Sequence, residues 1–205
     1  MIVIEGNVRG SLSAPRPALF LDRDGVINVD HGYVHKAADF DWCPGIFELC
    51  EEACAEGHII VVVTNQGGIA RGLYTERDFR SLTLWMLQVF AQRGIAIAQV
   101  IGCPHHPEGL SGPLRLDCAC RKPNPGMLLH AAHGLSLDLK RSALIGDRSS
   151  DMLAAARAGV ERRILLGQPT NNDSAGDGAD VIQVTSLGAA QRTLFGTPDV
   201  MPTQR

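Results

Sequence analysis

Ala18-Leu19-Phe20-Leu21-Asp22-Arg23-Asp24-Gly25 places four apolar residues directly ahead of two carboxylates. A short apolar run of this kind reads as a buried strand of a parallel sheet, and open α/β sheets bind ligands at the carboxyl ends of their strands. Strand alternation would set Asp22 and Asp24 on one side, with Arg23 facing away. Two acids so placed can hold a hard cation and divide nucleophilic and proton-transfer work between them. Asp and Gly are also ordinary turn residues, so a polar turn closing a strand is an equal reading of this stretch alone.

Outward from this stretch, apolar runs rich in β-branched residues recur at Ile59 to Val63, Val100 to Ile101, Ala143 to Ile145, Ile164 to Leu166 and Val181 to Val184. Helix-like segments lie between most of them: Gly45 to Glu56, Thr75 to Arg93, Pro125 to His133 and Ser149 to Ala158. Thr75 is a suitable amino-terminal cap, with Glu76 and Asp78 in the first turn, while Gly57 and Gly159 fit carboxyl-terminal caps. Strand alternating with helix predicts an α/β fold, a three-layer, Rossmann-like parallel sheet with helices on both faces. No large cap insertion is visible, so the loops at the strand ends would shape the pocket themselves.

The chain has 205 residues, 45% hydrophobic and 20% charged, with a net charge of −3. That composition suits one soluble domain and gives no sign of disorder or of nucleic-acid binding. No apolar run approaches the roughly 18 to 20 residues that span a bilayer. The segment before Ala18 carries Glu5, Asn7, Arg9 and Arg16, a poor secretory signal, so the expectation is a cytoplasmic monomer. Residues 1–17 are expected to form a loosely ordered extension, 18–195 the single domain, and 196–205 a tail; Gln168 to Asp180 reads as a surface loop.

Three further strand ends carry polar groups. Ile60 to Val63 runs into Thr64-Asn65-Gln66-Gly67-Gly68, where a hydroxyl, two amides and flexible backbone N–H groups could receive an anion. Ala143 to Gly146 runs into Asp147-Arg148-Ser149-Ser150-Asp151, although Asp147 or Ser149 could simply cap the following helix. Arg121-Lys122-Pro123 stands between them; two adjacent cations would serve a phosphoryl group, or else form a solvated basic pair.

Six cysteines are present, three of them between Cys103 and Cys120. Cys103-Pro104-His105 and Cys118-Ala119-Cys120 supply four ligands for a closed tetrahedral zinc site of Cys3His type. His106 could replace His105, and alternating spacing favours His105. Such a site would be structural and would fix the loop that delivers Arg121 and Lys122. Cys43, Cys50 and Cys54 read as free thiols, the last two sharing a helical face and packing into the core.

With these residues in place the chain resembles the haloacid-dehalogenase-like (HAD-like) phosphohydrolases. The resemblance implies that Asp22 attacks phosphorus, Asp24 handles protons, Thr64 and Lys122 hold phosphoryl oxygens, and Asp147 completes a magnesium site with Asp22 and Asp24. Val26 occupies the Thr/Val position of the family motif, and Asp151 is a candidate assisting acid. The zinc loop resembles that of a subgroup containing heptose-bisphosphate phosphatases and histidinol-phosphatase domains. The stretches Phe20 to His35, Val62 to Gly72, Cys103 to Pro107 and Cys120 to Met127 look like the heptose type. Carried over by motif, substrate contacts fall on Asp30, His31, Gly32 and Tyr33, on Thr64, Asn65, Gln66 and Gly67, on Arg121 and Lys122, and on Arg148. Arg148 stands where the heptose type usually has Lys, and Gly67 where many have Ser.

The implied activity is magnesium-dependent hydrolysis of the 7-phosphate of a heptose 1,7-bisphosphate through an aspartyl-phosphate, a step toward the heptose of lipopolysaccharide cores. The implied partner is a small phosphorylated sugar, with no nucleic acid or membrane. Histidinol-phosphate phosphatase is the neighbouring alternative. An alternative of another class is a catalytically silent, zinc-stabilised binding protein, whose signature would be loss of Asp22, Asp24, Lys122 or Asp147; all four are present.

Overall fold

A computed structural model describes residues 1–6, 14–110, 112–168 and 180–196. Most of the loop expected from 168 to 180, residues 7–13 of the amino-terminal extension and the tail beyond 196 lie outside the described residues.

The described chain forms strands β1 (Ile2–Glu5), β2 (Ala18–Leu21), β3 (Ile59–Asn65), β4 (Ile97–Cys103), β5 (Ala143–Gly146), β6 (Arg162–Leu166) and β7 (Val181–Val184). Its helices are α1 (Ile46–Ala55), α2 (Glu76–Gln92), α3 (Gly126–Leu135), α4 (Ser149–Ala158) and α5 (Leu187–Phe195), with a short 3-10 turn at Ala37–Asp39. The sheet order is β1-β4-β3-β2-β5-β6-β7, with every pair parallel except β1 on β4. From β2 the chain steps outward through β3 to β4, then returns to the other side of β2 with β5. The strand order therefore reverses at β2, the place where a crevice opens above a parallel sheet. Between β2 and β3 only the 3-10 turn and α1 occur, so the described residues hold no cap domain.

Alternation along the central strands divides the core in two. Leu19, Leu21, Ile60 and Val62 face the helices α1, α2 and α5, while Phe20, Val61 and Val63 face α3 and α4. Both faces are apolar, which is why β2 and β3 read as unbroken apolar runs. Cys50 is fully buried and Cys54 packs against the same cluster, as their helical spacing predicts.

Three elements differ from the expectations. Residues 2–5 are not loose: Ile2 and Ile4 are buried and the segment pairs antiparallel with β4 as an edge strand, with Gln99 donating to Glu5 at 3.0 Å. β4 is longer than Val100–Ile101 because Gln99 and Gly102, poor strand formers, are satisfied by Glu5 and by the ring of Phe79, which leaves no room for a Cβ at position 102. Helix α5 was not expected; Ser186 caps it by accepting from the Ala189 N–H at 3.2 Å.

α2 begins where its sequence signals place it. Thr75 and Asp78 form a reciprocal capping box, the Asp78 carboxylate accepting from the Thr75 N–H at 2.9 Å and the Thr75 hydroxyl accepting from the Asp78 N–H at 3.2 Å. Thr75→Ala should cost about 1 kcal/mol and leave the urea m-value unchanged. Equilibrium urea denaturation checks this, and an unchanged midpoint would show that the cap contributes nothing to the folded state.

Candidate active site

Asp22, Thr64, Lys122 and Asp151 meet at the carboxyl ends of β2, β3 and β5. They line a cavity of about 490 Å³ together with Asp24, Asp30, Gly32, Tyr33, Asn65, Gly67, Arg71, Tyr74, His106, Arg121, Arg148 and Ser150. Lys122 is buried to 3% exposure, and its ammonium reaches Asp22 at 3.0 Å, Asp151 at 2.6 Å and the Val63 carbonyl at 2.8 Å. Burial works to discharge Lys122, yet the two carboxylates outweigh it and raise its pKa. Asn65 fixes the Lys122 backbone from both sides, accepting from the Lys122 N–H and donating to its carbonyl, each at 3.0 Å. An amide expected to touch substrate is thus spent on holding the lysine.

Asp147 closes the group from the end of β5. Carboxylate oxygens of Asp22, Asp147 and Asp151 all lie within 4.8 Å of one another. In the metal-free protein burial pushes Asp22 up to about 7, with Lys122 opposing and the neighbouring acids adding; burial and then Asp151 push Asp147 up to about 6. Lys122 and the Arg148 guanidinium, 3.9 Å from Asp147 and itself paired with Asp30, leave part of this negative charge uncompensated, and Asp147 Oδ1 is buried without a hydrogen-bond partner. This donor set, all hard oxygen, fits a divalent hard cation. Gly25, at φ +86°, is required here because a Cβ would run into the Asp147 carboxylate.

Asp24 behaves differently from its expected place in the cation site. The strand ends at Leu21, so alternation stops before the acids, and Arg23 does not face away: its guanidinium folds back on Asp24 at 2.7 Å and on the Val34 carbonyl at 2.7 Å. Asn28 and Gln66 donate to the same carboxylate, each at 3.1 Å. The Asp24 carboxylate therefore lies outside the acid trio.

Two expected substrate contacts do not line the cavity. Gln66 is buried, donating to Thr64 at 2.9 Å and accepting from the Tyr74 hydroxyl at 2.6 Å. His31 sits in a neighbouring cleft, paired with Asp41 at 2.7 Å. Asp30 and Arg148 do line the cavity and pair with each other at 2.8 Å, while the Asp30 carboxylate also closes a turn on the Gly32 N–H at 2.9 Å. Asp151, weighed as a cap or an assisting acid, is the closest anion to Lys122 and also accepts the Arg148 N–H at 3.0 Å. Arg71, Tyr74, His106 and Ser150 were not among the expected site residues; Arg71 lay unremarked inside a matching stretch, and His106 only beside His105.

Cys103, His105, Cys118 and Cys120 form a second cluster. The sulfurs and His105 Nδ1 stand 3.3 to 3.6 Å apart, near the edge of about 3.8 Å expected for a tetrahedron with metal–sulfur bonds of roughly 2.3 Å. His105 supplies the ring nitrogen, and all three thiols are free of disulfides. Asn124 ties the loop down by donating to the Cys118 carbonyl at 2.8 Å, and Arg121 donates to the His105 carbonyl at 3.2 Å.

A family model described as HAD-hydrolase-like matches residues 119–183. The D-glycero-beta-D-manno-heptose-1,7-bisphosphate 7-phosphatase of Vibrio cholerae is 49% identical over 156 residues, 75% of this chain and 84% of that protein. The protein of the same name from Photorhabdus laumondii is 43% identical over 88% of this chain and 96% of its own length. Among solved structures, D,D-heptose 1,7-bisphosphate phosphatase from B. bronchiseptica, complexed with magnesium and phosphate, superposes with a TM-score of 0.73 at 29% identity, covering 87% of this chain and 97% of that one. No helix among the described residues is long and apolar enough to cross a membrane.

Removing the buried Lys122 ammonium should be expensive, because Asp22 and Asp151 would be left facing each other without it. Lys122→Met should lower the unfolding free energy by about 3 kcal/mol, read by urea denaturation of metal-free protein. A loss below about 1 kcal/mol would mean that the acids find other compensation.

Proposed function

We propose a reaction for a chain that belongs to the D-glycero-beta-D-manno-heptose-1,7-bisphosphate 7-phosphatase family of HAD-like hydrolases: hydrolysis of the 7-phosphate of a heptose 1,7-bisphosphate. The observation that carries it is the convergence of Asp22, Thr64 and Lys122 on one cavity, with Asp147 grouped beside Asp22 and Asp151. In this reading the protein is a cytoplasmic phosphoric monoester hydrolase of carbohydrate metabolism.

Asp22 is the nucleophile. One carboxylate oxygen attacks phosphorus, the bond from phosphorus to the sugar oxygen breaks, and the phosphoryl group passes to Asp22 as an aspartyl-phosphate. The departing alkoxide takes its proton from Asp24. A water then gives a proton back to Asp24 and attacks phosphorus, releasing phosphate and restoring Asp22. Asp24 is held in place by donors from Arg23, Asn28 and Gln66. Lys122 and the Thr64 hydroxyl receive the phosphoryl oxygens, and Arg148, Asp30 and the backbone of the Gly32 turn bound the sugar.

Magnesium held by Asp22 and Asp147, with Asp151 alongside, would neutralise charge on the phosphoryl group as a carboxylate approaches it. Zinc at Cys103, His105, Cys118 and Cys120 would be structural, since four protein ligands leave no open position.

Asp22→Asn should lower phosphate release by at least about a thousandfold, with magnesium required by the parent protein. Assay of heptose 1,7-bisphosphate beside histidinol phosphate should favour the bisphosphate; faster turnover of histidinol phosphate would overturn the substrate. The purified protein should carry about one zinc per chain by plasma mass spectrometry, and Cys118→Ser should lose it and melt at lower temperature. Unchanged melting in that variant would remove the structural role.

A further inference from the structure

Gln66, buried beneath the cavity, joins two groups of the proposed chemistry to one that it leaves unused. The two amide hydrogens of Gln66 are both spent, on the Thr64 hydroxyl at 2.9 Å and on the Asp24 carboxylate at 3.1 Å. Its side-chain oxygen accepts from the Tyr74 hydroxyl at 2.6 Å, and its backbone N–H donates to the Cys103 carbonyl at 2.8 Å. An ionised carboxylate only accepts, so the amide nitrogen faces Asp24 and the amide oxygen faces Tyr74. The orientation of the amide is thereby fixed from both ends.

That orientation decides what the Thr64 hydroxyl can do. A hydroxyl carries one proton and an amide NH2 cannot receive it, so the proton of Thr64 is not spent on Gln66. Among the described residues the Thr64 hydroxyl donates to no protein acceptor, and Thr64 lines the cavity. Its proton is therefore left for an oxygen on the cavity side. Were the amide turned over, its oxygen would face Thr64 and take that proton, and would stand acceptor against acceptor at Asp24.

Tyr74 is placed to hold the amide in the first orientation. Burial pushes its phenol above the ordinary tyrosine pKa, which keeps the proton on the oxygen and the hydroxyl a donor. The ring stacks on His35 with centroids 5.2 Å apart and planes 5° from parallel. Gly68 leaves it room, since a Cβ there would run into the ring. We infer that Tyr74 is a positioning residue: through Gln66, its hydroxyl keeps the Thr64 O–H turned toward the phosphoryl group. Tyr74 itself needs no contact with substrate for this, because the amide transmits its donor as a donor to Thr64. This inference deepens the proposed function and rests on it for the role of Thr64.

Inorganic phosphate, titrated calorimetrically onto the protein with magnesium present, reads the Thr64 contact without the proton transfers assigned to Asp24. Tyr74→Phe keeps the ring and loses only the hydroxyl; phosphate should then bind about tenfold more weakly, a difference of roughly 1.4 kcal/mol. Thr64→Val should weaken phosphate at least as much, and adding Tyr74→Phe to it should change the affinity no further. Added instead to Thr64→Ser, which restores the hydroxyl, Tyr74→Phe should again cost about tenfold. A merely structural role for Tyr74 would move the valine and serine backgrounds alike. Should Tyr74→Phe fail to fold, Gln66→Met, which removes the amide and adds no charge, enters the same cycle with the same expected pattern. Unchanged affinity on loss of the relay, an additive loss in the Thr64→Val background, or wild-type protein that binds no phosphate would each overturn the inference. A protein that shows the expected pattern with phosphate and fails to hydrolyse the bisphosphate would overturn the proposed substrate and leave the relay standing.

Discussion

Two buried carboxylates on one ammonium, with a third acid beside them, set the terms for the rest of this molecule. Asp22 and Asp151 share Lys122, Arg148 stands 3.9 Å from Asp147, and the pKa values of Asp22 and Asp147 rise because burial and mutual repulsion outweigh these cations. Such a cluster is unfavourable in isolation and persists only where packing over-determines it. Here each member is fixed from outside the cluster. Asp22 accepts the Arg23 N–H at 2.7 Å, Asp151 accepts the Arg148 N–H as part of the first turn of α4, and Lys122 is clamped by Asn65 and by the Val63 carbonyl. The uncompensated negative charge is also what makes the site receptive to a divalent cation, and such a cation together with Lys122 would let an anionic phosphoryl group approach.

The sheet supplies the rigidity. β2 lies between β3 and β5 with apolar side chains on both faces, so the ends of all three strands are held in register by two separate cores. Because the strand order reverses at β2, the loops after β3 and β5 diverge to opposite sides of Asp22 and leave a cavity between them. Functional groups at the ends of packed strands are placed more precisely than groups on free loops. The remaining walls come from the 30–35 turn and the zinc loop, which perform the work a separate cap domain would otherwise do.

Much of this was legible because buried strands announce themselves as apolar runs and the first polar residue after each run marks a site position. Asp22, Thr64 and Asp147 were found that way, and Lys122 through its neighbouring cation. The limits have equally physical causes. Arg23 was misplaced because strand alternation was carried past Leu21, where the backbone already turns. β1 escaped notice because four residues at an edge give too short a pattern, and β4 was truncated because the partners that satisfy Gln99 and Gly102 come from distant segments. Gln66 and His31 have the residue types of substrate ligands, and only tertiary contacts reveal that one is buried beneath the site and the other turned to Asp41. Arg71 and His106 could not be paired from sequence at all, being 35 positions apart on different loops.

The Cys103, His105, Cys118 and Cys120 cluster bears on how that pairing is held in the fold. His105 belongs to the cluster while His106 faces the cavity, so a metal bound by the first residue would set the direction of the second. Cys120 does the same for Arg121 and Lys122, which follow it directly: Lys122 goes down to the acids and Arg121 stays at the wall. One structural centre thereby orients a cation for the reacting phosphoryl group and the side chains of the cavity wall. A loop of this length, rich in glycine and proline, has little apolar surface with which to hold such an arrangement by packing alone. Metal ligation is the compact means of fixing it, and the apolar contact of Cys103 and Cys120 with the α3 and α4 side of the core carries that rigidity into the sheet.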